Sequence, residues 1–317
     1  MAQRQAQAKA HVERWTAGKP PPTLRLDLPE GPGGDILFDR LSAGKVLAAA
    51  AASVQVEAVQ SPAWVERGEQ RLPLLPGQAL KNRDRIVTGP ESRVLLRLSE
   101  GSAVKLGENA SLRVDALGVR EGGVFTAALD VARGAFRYTT GVFSRFQNKR
   151  AVNVRIATVT AGIRGTDLWG SSDAERDLVC LIEGRITVTH PEAEPVAMSE
   201  PLSFYVAPKG EAPKPVAGVD PAQLALWAAQ TELRPEGATF RKDGRWALQV
   251  GVEESEAGAL ALYDRIRAAG YPARIRPLAA GDGAYRYALQ VPKIASRAGA
   301  EALAVRLRLE LGLESTR

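Results

Sequence analysis

The sequence contains few of the residues from which catalytic and metal sites are commonly built. It has one cysteine, Cys180, and two histidines, His11 and His190, in 317 residues. One cysteine cannot form an internal disulfide, and neither histidine has a partner at the spacing of metal ligands. The motifs of serine hydrolases, zinc proteases and P-loop nucleotide-binding proteins are also missing. We therefore expect a protein that is not an enzyme and that holds no cofactor or metal.

Long hydrophobic runs and blocks of one charge are lacking as well. No stretch approaches the roughly 18 apolar residues that a membrane-spanning helix requires. The formal net charge is +6, but basic and acidic side chains alternate along the chain. A nucleic-acid-binding protein would concentrate its basic residues along one surface. The sequence thus predicts a globular protein with no transmembrane segment and no nucleic-acid partner.

Residues 1–53 are expected to be a disordered or export segment, since residues 1–45 are polar and rich in proline and glycine. Within them, two basic residues precede the short apolar run Val46–Ala52, and small residues follow it. This is the order of parts in a secretory signal, although the run is short and far from Met1. Two interpretations stay open. Either the mature protein begins between Ser53 and Val59 after export, or the run only leads into the first strand.

Residues 54–206 show the alternation of apolar and polar residues that predicts short β-strands. Val94, Leu96 and Leu98 lie on one side of a strand, and turn residues recur every 8–10 positions. This pattern predicts an all-β domain, either a sandwich, a barrel or a β-helix. Cys180 lies in the apolar run DLVCLIEG, where we expect a small core residue rather than a reactive thiol.

The stretch TVTAGIRGTDL is the most distinctive part of this region. Gly162 and Gly165, three residues apart, predict a tight turn, because glycine relieves backbone strain. Arg164 and Asp167 could pair across that turn. We interpret these four residues as a structural turn motif with a local ion pair rather than as a ligand site.

Three stretches in this order, RIVTGPESRVLLRLSEGSAVKLGENASLRV, ATVTAGIRGTDL and LIEGRITV, resemble the FecR domain over roughly residues 55–190. The resemblance implies an all-β envelope domain of β-helix or sandwich type. Arg83 and Glu100 depart from the glycine and aspartate that the family usually has at these places. The resemblance does not imply iron signalling, since that role also requires a cytoplasmic anti-sigma segment and a membrane span.

Residues 207–242 read as a linker that contains a short helix. The stretch APKGEAPKPVAGV lacks a hydrophobic pattern and is rich in proline, alanine and glycine. Asp220 and Pro221 then provide a helix N-cap and a first helical residue. We expect the linker to separate two domains.

The tetrapeptide ALQV occurs twice, in WALQVG at 246–251 and in YALQVP at 287–292. Each copy is followed by a serine, Ser255 or Ser296, that precedes a helical pattern. A further alternating stretch, YPARIRPL, lies between the two halves. The resulting order β-α-β-β-α predicts an α+β domain of the ferredoxin-like plan over residues 243–317, with a last strand in LESTR.

The alternation within these strands predicts one apolar face, covered by two helices, and one open polar face. The residues expected on or beside the open face are Gln249, Gly251, Arg274, Arg276, Arg286 and Gln290. Amides and guanidinium groups suit neutral or anionic ligands that are rich in hydroxyl groups. The outward aromatic residues that single-stranded RNA requires are missing from this face. The alternative is that these side chains only solvate an open sheet.

The stretch RWALQVGVEESEAGALALYDRIRAAGYPARIRPL, together with YRYALQVP, resembles a SPOR domain over residues 243–317. The resemblance implies binding of peptidoglycan glycan strands that have lost their stem peptides, through the open face of the sheet. Gln249 and Gly251 match the Q-V-G motif of the family, and Gln290 is the counterpart in the second copy. Glu253 stands where the family has phenylalanine, and VPKIAS replaces V-G-P-F.

These observations lead to one functional hypothesis and one alternative. We expect a non-enzymatic protein of the periplasm or cell envelope, in which a FecR-like domain is tethered to a glycan-binding SPOR-like domain. The alternative is a regulatory or scaffolding protein whose C-terminal module binds an envelope protein instead of glycan.

Overall fold

The computed structural model describes residues 53–120, 124–141, 150–281 and 284–312, without the side chain of Arg164. The N-terminal segment with its apolar run lies outside the described residues. The export hypothesis therefore stays a prediction. The last strand that we expected in LESTR, residues 313–317, lies outside them as well.

The first part of the chain is built from short strands joined by turns, as the alternation predicted. Its strands are β1 (Val54–Gln60), β2 (Ala63–Arg67), β3 (Gln70–Pro73), β4 (Ala79–Leu80), β5 (Arg85–Thr88), β6 (Arg93–Leu98), β7 (Ala103–Leu106), β8 (Ser111–Arg120), β9 (Val124–Thr139), β10 (Arg150–Ile156), β11 (Val159–Ser172), β12 (Arg176–His190), β13 (Ala193–Met198), β14 (Ser203–Pro208) and β15 (Lys214–Gly218).

Strand β9 organises this all-β region because its two halves pair with different strands. Its first half pairs with β8 and, in parallel orientation, with β10. Its second half pairs antiparallel with β7 and β11. The change occurs at Gly134, whose φ is +83°, and a Cβ there would lie 2.5 Å from Ala110. A residue with a side chain would not fit at this position.

The core of the region consists of the apolar residues that alternate along these strands. Leu96, Leu98, Val104 and Leu129 are all fully buried or nearly so. Cys180 is also buried, and burial raises the pKa of its thiol to about 12. Its burial confirms that Cys180 is a core residue, and a thiol with so high a pKa stays protonated near neutral pH.

The segment that we interpreted as a linker is partly ordered against the all-β region. Its first residues end β14, and β15 pairs with β14 as an antiparallel hairpin. Every side chain of β15 is exposed, so the strand is held by backbone pairing and leaves no apolar pattern in the sequence. Composition therefore could not reveal it.

The short helix α1 (Pro221–Ala229) follows this hairpin and begins as predicted, with the Asp220 side chain accepting a hydrogen bond from the Ala222 amide. Its Trp227 ring stacks on Trp169, with 5.0 Å between ring centroids. Trp227 also meets the edge of Phe204. The helix thus packs on the all-β region.

The C-terminal part contains β16 (Thr239–Arg241), β17 (Trp246–Glu253), α2 (Glu256–Ala268), β18 (Arg274–Gly281), β19 (Ala284–Ile294) and α3 (Arg297–Leu311). From β17 onwards this is the β-α-β-β-α order that the repeated tetrapeptide predicted. Ser255 and Ser296 cap the two helices by accepting hydrogen bonds from Gly258 and Gly299, each at 3.1 Å. The region is therefore α+β.

Strand β19 lies between β17 and β18 and is antiparallel to both. One side of this three-stranded sheet packs against the helices, whose buried residues include Leu262, Ile266, Leu303 and Leu307. The sheet also continues into the all-β region, because β16 pairs with both β19 and β1.

Candidate functional site

The open side of the C-terminal sheet is the candidate site, and a β-bulge determines which residues reach it. Gln249 pairs with Gln290, but the next pair is Gly251 with Leu289, so Val250 is the extra residue of a bulge. A bulge reverses the alternation of side chains beyond it. A Cβ at Gly251 would lie 3.3 Å from a methyl group of Leu262, on the helix side. The expectation that Gly251 belongs to the open face is therefore corrected.

Val252 takes the outward place that the sequence had assigned to Gly251. Its side chain is 38% exposed, and it pairs with Ala288 on the central strand. Ala288 in turn pairs with Arg276. Simple alternation missed Val252, since nothing in the local sequence marks a bulge at Val250.

The first row of the open face is a line of three polar side chains across three strands. Gln249 on β17 pairs with Gln290 on β19, and Gln290 pairs with Arg274 on β18. Nε and Nη2 of Arg274 donate hydrogen bonds to Oε1 of Gln290 at 3.0 and 2.9 Å. These bonds leave the Gln290 amide nitrogen available as a donor. The structure thus brings together three of the residues that the sequence predicted.

The second row, Val252, Ala288 and Arg276, is apolar except at its β18 end. Among the described residues, no hydrogen-bond or ion-pair partner is found for the Arg276 guanidinium. Ala288 is fully buried, so the exposed apolar surface beside the amide row comes from Val252. Arg276 is exposed at the other end of this row.

The third row contains Arg286, which pairs with Leu278. A carboxylate oxygen of Glu254 lies 3.9 Å from Nη1 of Arg286, and both side chains are well exposed. This ion pair contributes little binding energy because water screens it. The open face therefore carries the guanidinium groups of Arg274, Arg276 and Arg286, and in the part of the chain that the structure describes Glu254 is the one carboxylate within 4 Å of them.

Contacts with the all-β region come from the helices and from β16, not from the open face. Nε1 of Trp64 donates to the Ala268 carbonyl at 3.1 Å, at the end of α2. Nη2 of Arg306, on α3, donates to the Pro90 carbonyl at 3.0 Å. These contacts leave Gln249, Val252, Arg274, Arg276 and Arg286 exposed on the open face.

The predicted turn motif lies inside a strand rather than at a turn. Gly162, Arg164, Gly165 and Asp167 belong to β11, and a bulge interrupts its pairing with β12 between Arg164 and Asp167. Gly165 has a φ of +65°, which glycine adopts without strain. The glycine thus serves a bulge, and the interpretation as a turn is corrected.

The carboxylate of Asp167 pairs with Arg137, a partner that the sequence did not suggest. Two nitrogens of Arg137 donate to it at 2.9 and 2.6 Å, and both side chains are buried. A third nitrogen of Arg137 contacts Glu232 at 3.2 Å. Burial by itself lowers the pKa of Arg137, but the two carboxylates outweigh burial and raise the pKa above its usual value. The pair of Arg137 and Asp167 is structural, because both side chains are buried and bind each other.

Among residues 53–120, 124–141, 150–281 and 284–312, no cluster of three or more histidine, cysteine or acidic residues could hold a metal ion. No helix in the same ranges is long and apolar enough to cross a membrane.

Comparison with known proteins finds a family match for two separate parts of the chain. Residues 84–187 match the FecR protein family, and residues 242–316 match the SPOR domain family. Both matches have the order that the sequence motifs predicted. No curated protein matches the chain.

Two crystal structures of a candidate anti-sigma factor from Parabacteroides distasonis ATCC 8503, at 1.65 and 2.50 Å resolution, are similar to this chain. Each is 12% identical to it, with a TM-score of 0.38. The similarity covers 74% of this chain and 94% or 93% of the other.

Proposed function

We propose, for a chain that joins a FecR domain to a C-terminal SPOR domain, that the open sheet face binds glycan strands of peptidoglycan. The protein would then be a non-enzymatic component of the periplasm or cell envelope, in which the SPOR domain holds the FecR domain at the wall. The FecR domain would act through a partner or ligand of its own. We further infer a ferredoxin-like arrangement for the SPOR domain and a sandwich-like or helical one for the FecR domain.

The observation that carries this proposal is the row Gln249, Gln290 and Arg274. Sugars present hydroxyl and acetamido groups, and both bind well to side chains that offer fixed donors and acceptors. Because Gln290 is held by Arg274, its free amide hydrogens have a defined direction. The neighbouring Val252, which is 38% exposed, provides apolar surface for the carbon-bound hydrogens of a sugar ring.

The glutamate at position 253, where the family has phenylalanine, does not count against this site. Glu253 pairs with Tyr287, on the helix side of the sheet. Its Oε2 lies 2.8 Å from where a Cβ of Gly258 would be, in the first turn of α2. A carboxylate there interacts favourably with the helix N-terminus. The departure therefore leaves the open face unchanged.

Co-sedimentation with peptidoglycan sacculi tests the proposal. We expect the wild-type protein to bind sacculi treated with an amidase, which strips the stem peptides. The double variant Gln249→Ala/Gln290→Ala loses two amide groups, each worth about 0.5–1.5 kcal/mol, so its affinity should fall roughly 5- to 150-fold. Its thermal unfolding should stay close to that of the wild type, because neither side chain belongs to the core.

A matched control is the double variant Gln70→Ala/Gln223→Ala, which removes two exposed amides from the other half of the chain. Its affinity should equal that of the wild type. If wild-type protein does not bind amidase-treated sacculi, the glycan proposal is wrong. Binding of an envelope protein by the same face then becomes the better explanation.

A further inference from the structure

The open face concentrates positive charge at one place on a protein whose charges are otherwise mixed. Arg274 and Arg276 lie on β18, two residues apart, which places their Cα atoms about 7 Å apart on the same side of the sheet. Arg286 lies on the adjacent strand. Glu254, near Arg286, is the one carboxylate within 4 Å of these three groups among the described residues. Like charges at this spacing repel each other, and a bound anion would relieve that repulsion.

Arg274 and Arg276 differ in how each of them can bind an anion. Arg274 is oriented by two hydrogen bonds to Gln290, which involve Nε and Nη2, and its Nη1 has no partner among the described residues. Arg276 is exposed, and no carboxylate or carbonyl of the described residues binds it. The guanidinium group matches a carboxylate with two parallel hydrogen bonds, a geometry that lysine cannot provide. Arg276 is therefore the better placed of the two to bind a carboxylate directly.

The chemistry of the glycan supplies a suitable anion. In intact peptidoglycan the lactyl group of each muramic acid residue carries the stem peptide through a neutral amide. Amidase cleavage of that bond leaves a free carboxylate on the sugar. A denuded strand is consequently a polyanion with one carboxylate per disaccharide, whereas a strand that carries its peptides lacks this charge on the sugar.

We propose that Arg276, assisted by Arg274, binds the lactyl carboxylate that amidase cleavage exposes on the glycan. This inference rests on the proposed function and adds a means of selection to it. The sheet would recognise the charge that the strand gains, in addition to the space that the departing peptide leaves. The amide row would bind the sugar, and the arginines would favour strands from which the stem peptide has been removed.

Isothermal titration calorimetry of the full chain with defined oligosaccharides tests this. The first ligand is a denuded glycan oligomer prepared by amidase digestion, and the second is the same oligomer with its carboxylates converted to N-methylamides. A chitin oligomer of equal length and a polyuronate complete the set. The chitin oligomer has acetamido groups without lactyl carboxylates, and the polyuronate has carboxylates without acetamido groups.

We expect the free carboxylate form to bind about 10- to 150-fold more tightly than the N-methylamide form, which is the contribution of a charge-assisted hydrogen bond. Arg276→Gln should reduce the affinity for the free form by a similar factor while leaving the N-methylamide form unaffected. Arg297→Gln, an exposed arginine on α3 that pairs with Glu301, is the control and should change neither affinity.

The possible failures are distinguishable. Equal binding of the free and N-methylamide forms would overturn the carboxylate site and leave the proposed glycan function intact. Binding of the polyuronate as tight as that of the denuded glycan would reduce the arginines to a nonspecific anion surface and overturn the inference. Absence of binding to every oligosaccharide would overturn the proposed function, and this inference with it.

Discussion

Arg137 shows how a single residue can hold the all-β region together. Its side chain is 2% exposed, and its guanidinium is bound by Asp167 and Glu232. Lys105 also contacts Glu232, at 2.6 Å. Because Glu232 follows α1 in the chain, this cluster also attaches the segment after the helix to the strands. Removal of the arginine would take away the two hydrogen bonds and the positive charge that Arg137 gives to the buried Asp167 carboxylate.

We predict that Arg137→Met destabilises the protein by about 3–5 kcal/mol, the cost of leaving a buried charge unpaired. Urea unfolding followed by tryptophan fluorescence measures this. The control is Arg97→Met, which breaks an exposed ion pair with Glu57 at 2.8 Å and should cost less than about 1 kcal/mol. Equal effects of the two substitutions would show that the Arg137 cluster is not buried as described.

At the scale of single elements, bulges in two strands decide which side chains meet. In β17 the bulge at Val250 turns Gly251 toward α2 and brings Val252 onto the open face. In β11 the bulge that contains Gly165 lets the strand pair with β12 on both sides of the interruption. A long strand with a bulge therefore replaces the turn that the glycines of TVTAGIRGTDL predicted.

The glycine of the β11 bulge should be difficult to replace. Gly165→Ala places a Cβ on a residue with positive φ, and we expect a loss of about 1–2 kcal/mol in the free energy of unfolding. Gly162→Ala in the same strand is the matched control. Its φ is ordinary and the nearest atom lies 3.5 Å from the new Cβ, so stability should change by less than about 0.5 kcal/mol. Urea unfolding midpoints of both variants check this, and an equal loss in the two would contradict the special role of the bulge.

At the scale of the whole molecule, the two halves are joined by a continuous sheet. Strand β16 pairs with β1 of the all-β region and touches β19 of the SPOR domain through Phe240 and Ile294. Gln60, at the end of β1, is 3% exposed. Its carboxamide binds the backbone of Arg234 on both its oxygen and its nitrogen, and its nitrogen also donates to Thr239. A side chain of the first half therefore fixes the entry to the second.

We predict that Gln60→Ala loosens this junction without unfolding either half. The loss of three hydrogen bonds, about 0.5–1.5 kcal/mol each, should speed amide hydrogen exchange in residues 234–241 by roughly 10-fold or more. Hydrogen exchange with mass spectrometry measures this. Gln55→Ala removes an exposed amide from the same strand and should leave the exchange unchanged. If the two variants behave alike, β16 is held by its strand pairing alone.

The sequence by itself determined the order of the elements and the two families. Alternating apolar residues predicted the strands of the all-β region, and the two ALQV copies with their serine caps predicted β-α-β-β-α. These signals are local, because periodicity, caps and short motifs depend on residues that are close in the chain. They were sufficient to bring Gln249, Gln290 and the three arginines to one face of the sheet.

Only the tertiary structure decided which distant residues pair and where the alternation of side chains is interrupted. The pairing of Asp167 with Arg137 joins residues 30 positions apart in the chain. Strand β15 is held by backbone hydrogen bonds to β14, and its exposed residues show no apolar pattern from which the strand could be predicted. The bulge at Val250 exchanged Gly251 for Val252 on the open face, because one extra residue reverses every position beyond it. Such features depend on which strands meet, and that is settled only when distant parts of the chain pack together.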